Sequence, residues 1–209
     1  MTVQAFGAKL VRLEETTSTN DVAKQYAADG AEEGLVVVAK VQTKGRGRQG
    51  RVWIAAPGQS LLLSVVLRPP WDDSTTAWLG VLAGVAVAET ARELGLQGVA
   101  LKWPNDVLVH GRKLAGVLVE PRISGGRIEF SVIGVGMNVL QEETDWPPEL
   151  RGQATSFARE GVNVSVDAVQ QALLKRLHLA YVTVLSAGLD PVMSSWRSWT
   201  GSERLPTLT

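Results

Sequence analysis

The stretch TKGRGRQGRVW, Thr43 to Trp53, holds three glycines, four cations and a tryptophan in eleven residues, and the class of fold turns on whether a helix comes after it. Gly45, Gly47 and Gly50 spell G-x-G-x-x-G, and Asp72 and Asp73 stand near the distance at which a dinucleotide-binding unit keeps its acidic residue. That unit also needs a helix directly after the glycines. The next residues, RVWIAAPGQS, carry Pro57 and Gly58, show no helical stripe, and run into the apolar SLLLSVVLR (60–68). A phosphate loop of the Gly-Lys-Ser/Thr kind fails as well, because Arg51 and Val52 come after Gly50. A disordered RNA-binding tract would be longer and set in a basic chain. Considered alone, the stretch fits a solvated glycine-rich loop between two strands.

Outward from it, LVRLE (10–14) alternates as a strand does, and GLVVVAKVQ (34–42) is a buried β-branched strand. Between them, Ser18 or Thr19 caps a helix that Gly30 stops. Pro69 and Pro70 end the strand 60–68. Residues 75–94 read as a long buried helix with Gly95 beyond it. VALKWPNDVLVHGRKLAGVLVEPR predicts a strand, a turn at Pro104 and a hairpin turning at His110-Gly111, and RIEFSVIGVGMNVL predicts another strand. A proline-bearing loop, an amphipathic helix (165–185) and a last helix opened by Asp190-Pro191 complete the order. Strands come in runs, so the expected class is α+β with a mixed or antiparallel sheet, in one domain from residue 8 to 199.

The 209 residues carry 21 Lys and Arg against 21 Asp and Glu, so the four cations of Thr43–Trp53 are a local concentration and not part of a basic nucleic-acid binder. There is no cysteine, which excludes disulfides, thiolate metal sites and thiol nucleophiles and suits a reducing cytoplasm. No signal peptide is evident. The longest apolar run, Ala77 to Ala88, is broken by glycines and too short to span a bilayer, so no membrane partner is expected.

Four more stretches look chemical: TSTN (17–20), KWPNDV (102–107), RKLAGVLVE (112–120) and GVGMNV (134–139). With GRGRQGRVW and in this order, they make the chain resemble the catalytic domain of the biotin protein ligases over about residues 10–199. The resemblance implies a mixed β-sheet backed by helices, related to class II aminoacyl-tRNA synthetases. It also implies a two-step reaction: biotin and MgATP give biotinyl-5′-AMP, which acylates a lysine of a biotin carboxyl carrier protein. Lys113, Arg48 and Asp106 would be catalytic, with Lys113 bridging the biotin carboxylate and the α-phosphate. Ser18, Thr19, Asn20, Gln42, Arg46, Gly47, Arg48, Lys113 and Gly116 would meet biotin. Arg46, Arg48, Arg51, Trp53, Asn105 and Asn138 would meet the nucleotide.

The residue types suit these roles. Arginine presents planar bidentate donors to phosphate, and glycine lets backbone approach a ligand, so the loop is expected to act as a mobile cationic lid. Hydroxyls and amides can both donate to and accept from an uncharged urea ring. Asn105 and Asp106 offer oxygens to a magnesium–phosphate network or steer the incoming lysine. Trp53 and Trp103 suit either the wall of an apolar pocket or the core. Magnesium is expected only with ATP, near Asp106, and His110 and His178 are expected to bind no metal.

Each of these positions also has a plain structural reading: a helix cap for 18–20, a hairpin lysine for Lys113, a turn for Asn105-Asp106 and a strand-end residue for Asn138. A motif that begins at Thr17 leaves no room for the DNA-binding domain some members carry, so no DNA partner is expected. Residues 200–209 are at most a stub of the small β-barrel, about fifty residues on the scale of a minimal domain, that the family usually adds. A homodimer is implied by the family alone. The competing readings are a lipoate- or octanoate-protein ligase of the same fold and a biotin-binding module with weak turnover.

Overall fold

The computed structural model describes residues 4–200. Its elements run β1 (Leu10–Thr16), α1 (Thr19–Ala28), β2 (Val36–Gln42), β3 (Ser60–Leu67), α2 (Thr76–Glu93), β4 (Val99–Lys102), β5 (Asp106–Val109), β6 (Arg112–Ser124), β7 (Arg127–Asn138), α3 (Val166–Ala187) and α4 (Asp190–Thr200). The seven strands form one sheet in the order β1-β2-β3-β7-β6-β5-β4. Only β1 and β2 are parallel, joined across α1; every other pair is antiparallel. Of the two forms the clustered strands allow, the sheet is the mixed one that the resemblance implies, with helices on both faces.

The two-residue period of the strands divides the side chains between those faces. Val36, Val38, Leu61, Leu63, Val65, Leu67, Ile133 and Val135 join the large core under α2, α3 and α4. Leu35, Val37, Val66, Phe130 and Val132 meet Ala23 and Ala27 of α1 in a second, smaller core. All eight residues of β3 are buried, because the strand is central and covered on both sides. Trp196 of α4 closes the large core edge-to-face on Trp103, with ring centroids 5.8 Å apart.

Helix limits differ from the sequence reading by a residue or so, within the usual fraying of ends. The helix expected at 75–94 spans Thr76–Glu93, and Asp190, expected as the cap of the last helix, is its first residue. The expected tail falls, from residue 201 onward, outside the described residues.

On the α1 side, β7 changes character along its length. Phe130 and Val132 are bulky where α1 covers them, and then come Gly134 and Gly136. Their cross-strand neighbours point the same way: Ser64 and Leu118 beside Gly134, Leu62 and Gly116 beside Gly136, Glu120 beside Val132. The small side chains leave a hollow on the sheet at the N-terminal end of α1, and that hollow is where the chemistry gathers.

Candidate active site

The two β7 glycines are small because other side chains occupy their space. A Cβ on Gly134 would overlap the Asn20 carboxamide, and one on Gly136 would come within 2.5 Å of the Trp53 indole. A Cβ on Gly116 would sit 3.3 Å from the same indole and 3.5 Å from Lys113 Nζ. Trp53 thus lies flat across β6 and β7 and walls the hollow. Its ring N–H is buried and finds no partner among the described residues. Trp103, by contrast, borders only an outer cleft and is committed to Trp196.

At the floor, polar side chains form one continuous row. Gln42 Oε1 accepts from the Thr19 backbone N–H at 2.7 Å and lies 3.0 Å from the Thr19 hydroxyl. That hydroxyl is 2.8 Å from Ser64 Oγ, which is 2.5 Å from Asn20 Oδ1. Asn20 Nδ2 donates to Glu120 at 2.6 Å. Thr19, Asn20 and Ser64 are buried. Ser18 stands at the N-cap of α1, also buried, but makes no side-chain cap bond. At α3, Ser165 does cap, accepting from Ala168 N–H at 3.2 Å. Ser18, Thr19 and Asn20 thus line the hollow, and the Ser18 side chain does not cap α1.

Arg46 stands apart from the other loop arginines. Its guanidinium grips Asp21 through two bonds, at 2.7 and 2.5 Å, and reaches Glu120 at 3.2 Å. Lys24 reaches the same two carboxylates at 3.1 and 3.2 Å. The bond from Arg46 pulls the Asp21 carboxyl down to about 2, and Asp21 in turn pushes the guanidinium pKa up. Burial would raise Glu120, but Asn20, Lys24 and Arg46 together hold it below the usual carboxylate range. The loop's base is also pinned by backbone, Gly47 N–H to Arg51 at 2.7 Å and Trp53 N–H to Gly45 at 3.0 Å. The glycine-rich stretch expected as a mobile lid is thus anchored at its base. Gly45 has no room for a side chain, since a Cβ there would meet the Trp53 carbonyl at 2.7 Å. Only the tip, Arg48–Gly50, projects, as a single 3₁₀ turn with Gln49 left-handed at φ 57°.

Around that tip the hollow, about 50 Å³ at its inner end, opens into two clefts of about 580 and 630 Å³. Gly47 and Asn105 border all three. Arg48, Arg51, Lys102 and Lys113 line the first cleft, and Arg48 also reaches the second. Among the described residues no carboxylate comes within ion-pair distance of Arg48, Arg51 or Lys102. Lys113 Nζ rests on Asp106 at 2.7 Å, and lies 5.8 Å from the Trp53 ring centre. In a regular strand Lys113 and Gly116 would point to opposite faces. A bulge in β6 at Leu114 adds one residue between the pairs Leu108–Lys113 and Val107–Ala115, and turns Lys113 to the Gly116 side. Asp106, opposite Gly116, points the same way. Main-chain bonds to Gln153 and Thr155, at 2.8 and 2.9 Å, hold Lys113 in place.

Asn138 borders the first cleft, but its amide is committed within the fold: Nδ2 donates to the Thr155 carbonyl at 3.0 Å, and Oδ1 accepts from Gln141 at 3.3 Å. It braces the segment behind Lys113. Ser64, Asp21, Lys24, Glu120 and Gly134 were not singled out as site residues in the sequence reading. A lone serine in an apolar strand, and glycines two residues apart in another, are the signals that point to Ser64 and Gly134. Nothing in sequence marks Asp21. His110 sits in the β5–β6 turn at φ 49°, 3.1 Å from Glu160. Among the described residues no three His, Asp or Glu side chains gather to hold a metal ion.

A buried, uncharged row of hydrogen-bonding groups thus lies on the mixed sheet beside clefts lined by Arg48, Arg51 and Lys102. A model of the "Biotin/lipoate A/B protein ligase family" matches residues 13–138, and the chain belongs to that family. It is 34% identical over 197 residues to the bifunctional ligase/repressor BirA of Bacillus subtilis, covering 94% of this chain and 61% of that protein. It is 42% identical over 154 residues to the biotin–[acetyl-CoA-carboxylase] ligase of Mycobacterium tuberculosis, over 71% of this chain and 54% of the relative. The chain thus spans about six-tenths of the length of the BirA relatives it matches. The biotin protein ligase of Aquifex aeolicus in complex with biotin and ATP superposes with a TM-score of 0.79 at 29% identity, over 93% of this chain and 79% of that one. The Leishmania major enzyme in complex with biotinyl-5-AMP gives 0.72 at 26%, over 95% and 86%.

Proposed function

We propose that this chain joins biotin to ATP as biotinyl-5′-AMP, releasing pyrophosphate, and passes the biotinyl group to a lysine of a biotin carboxyl carrier protein. The observation that carries the reading is the meeting, at Lys113, of a buried uncharged polar row and a cleft lined by unpaired cations. The row suits a urea ring, and the Trp53 indole over Gly116 and Gly136 suits its fused apolar ring. The valeryl carboxylate would then point toward Lys113, and MgATP would lie along Arg48, Arg51 and Lys102.

In the first step a biotin carboxylate oxygen forms a bond to the α-phosphorus while the bond to pyrophosphate breaks. Lys113 neutralises charge shared by the two anions, which otherwise repel, and Arg48 and Arg51 take up charge on the departing phosphates. Asp106 holds Lys113 in place beforehand. A partly exposed ion pair of this kind is worth on the order of 0–1 kcal/mol, so substrate anions displace the carboxylate at little cost. In the second step the carrier lysine, once its ammonium has given a proton to solvent, bonds through nitrogen to the biotinyl carbonyl carbon while the bond to AMP breaks, and the second proton leaves to solvent. Asp106 then supplies a negative group that attracts the incoming ammonium. The two named complexes, with biotin and ATP and with biotinyl-5-AMP, support the order of events.

The test is incubation with biotin, MgATP and a carrier protein, and then a streptavidin blot. Labelling of the carrier lysine is expected. Absence of biotin labelling, with lipoate attached in the parallel reaction, would replace this reading by that of a lipoate ligase.

A further inference from the structure

The polar row contains more contacts than protons. It starts at Gln42 Oε1, whose orientation is fixed by the Thr19 backbone N–H, and ends at Asn20 Oδ1. Both ends are acceptors. Between them stand two hydroxyls, Thr19 and Ser64, with one proton each to serve three contacts: Gln42–Thr19, Thr19–Ser64 and Ser64–Asn20. One of the three therefore lacks a proton. Turning the Asn20 amide over would supply it, because Nδ2 would then face Ser64. Glu120 prevents this: an ionised carboxylate only accepts, and it already takes the Asn20 Nδ2 proton at 2.6 Å.

We infer that Glu120 is a specificity-determining positioning residue. By holding the Asn20 amide with its oxygen toward Ser64, it keeps the pocket floor short of one donor and so selects a ligand head that presents N–H groups. Lys24 and Arg46 lie 3.2 Å from its carboxylate and keep it ionised, while Gly134 gives the Asn20 carboxamide room to lie on the sheet. A dithiolane or an alkyl chain offers no donor, whereas a cyclic urea offers two. The inference rests on the biotin reading and deepens it: within this family it names the carboxylate, remote from the ligand, that sets the ring's hydrogen-bond polarity.

An exchange of functional groups tests it. Glu120→Gln removes the rule that fixes Asn20, and Asn20→Asp sets two carboxylates against each other. The double variant restores the original polarity: the new amide at position 120 donates to the new carboxylate at position 20, which turns its other oxygen to Ser64. Calorimetry on the full chain is expected to show biotin binding weakened about tenfold in each single variant, the worth of one mispaired buried group, and recovered to about threefold of wild type in the double variant. The preference for biotin over its ureido-N-methylated derivative should fall in Glu120→Gln and return in the double variant. Lys40→Met, which removes an exposed cation paired with Glu14 away from the hollow, should leave that preference unchanged. Losses that multiply in the double variant, or a preference that does not move in Glu120→Gln, would overturn the inference while leaving the biotin reading intact. Failure of the wild-type chain to bind biotin would instead sink the biotin reading and this inference with it.

Discussion

The floor of the hollow and the tip of the loop above it are opposites. At the floor, every polar side chain from Gln42 to Glu120 already has a protein partner, and Gln42 and Asn20 also pack against Gly45 and Gly134. At the tip, Arg48 and Arg51 border open clefts and pair with no carboxylate among the described residues. The floor is organised before ligand arrives, so it spends little entropy on ordering and can discriminate between uncharged heads that differ by a single N–H. The tip keeps its charge unspent, as a site must if it is to act only when phosphate charge is present. Arg46 belongs in sequence to the tip and in structure to the floor, because Asp21 and Glu120 take its guanidinium.

Lys113 is where the two regions join, so its loss should break the relation between them most severely. Lys113→Ala is expected to lower biotin-dependent pyrophosphate release by about 10²–10³-fold, the scale for removing one preorganised donor of charge, with little change in melting temperature because the side chain is a third exposed. Gly136→Ala attacks the floor. It forces a methyl onto Trp53, an overpacking of about 1–3 kcal/mol, so biotin affinity should fall roughly ten- to hundredfold, with a shift in tryptophan fluorescence. Arg48→Ala attacks the tip. Steady-state kinetics should show KM for ATP raised about tenfold and adenylate formation slowed, with biotin affinity measured without ATP unmoved. Arg46→Ala should instead weaken biotin binding itself. If the two arginines behave alike, the division between floor and tip fails.

The smallest effect concerns pH. Asp21 titrates at about 2, below the ordinary carboxyl range near 4, so its grip on Arg46 is fully present above about pH 4 and is lost only as pH falls toward 2. Biotin affinity should accordingly stay flat between about pH 8 and 5. A decline over that range would mean that the anchor titrates elsewhere.

The sheet and its helices were legible because their signals are local: β-branched runs, Gly30 and Gly95 after the first two helices, paired prolines after β3. The missing helix after Gly50 ruled out a dinucleotide fold from sequence alone. The division of labour among the arginines was not legible, since Asp21 lies 25 residues before Arg46 and Glu120 lies 74 after it. Nor was the direction of Lys113, because a one-residue bulge reverses the parity of everything before it and leaves no mark in RKLAG. In the sequence Gly134 and Gly136 are glycines inside a predicted strand; in the structure they are spaces, one filled by Asn20 and the other by Trp53. The loop motif suggested mobility by composition, while its base is fixed by an ion cluster and two main-chain bonds.

The most direct test of the division between floor and tip is pyrophosphate release by the chain with MgATP, measured before and after adding biotin. Release that appears only with biotin, is not evoked by lipoate, and disappears in Lys113→Ala is the expected result. Release that is indifferent to biotin, or equal with lipoate, would contradict the claim that a preformed floor reads the ligand and free cations act on its phosphate partner.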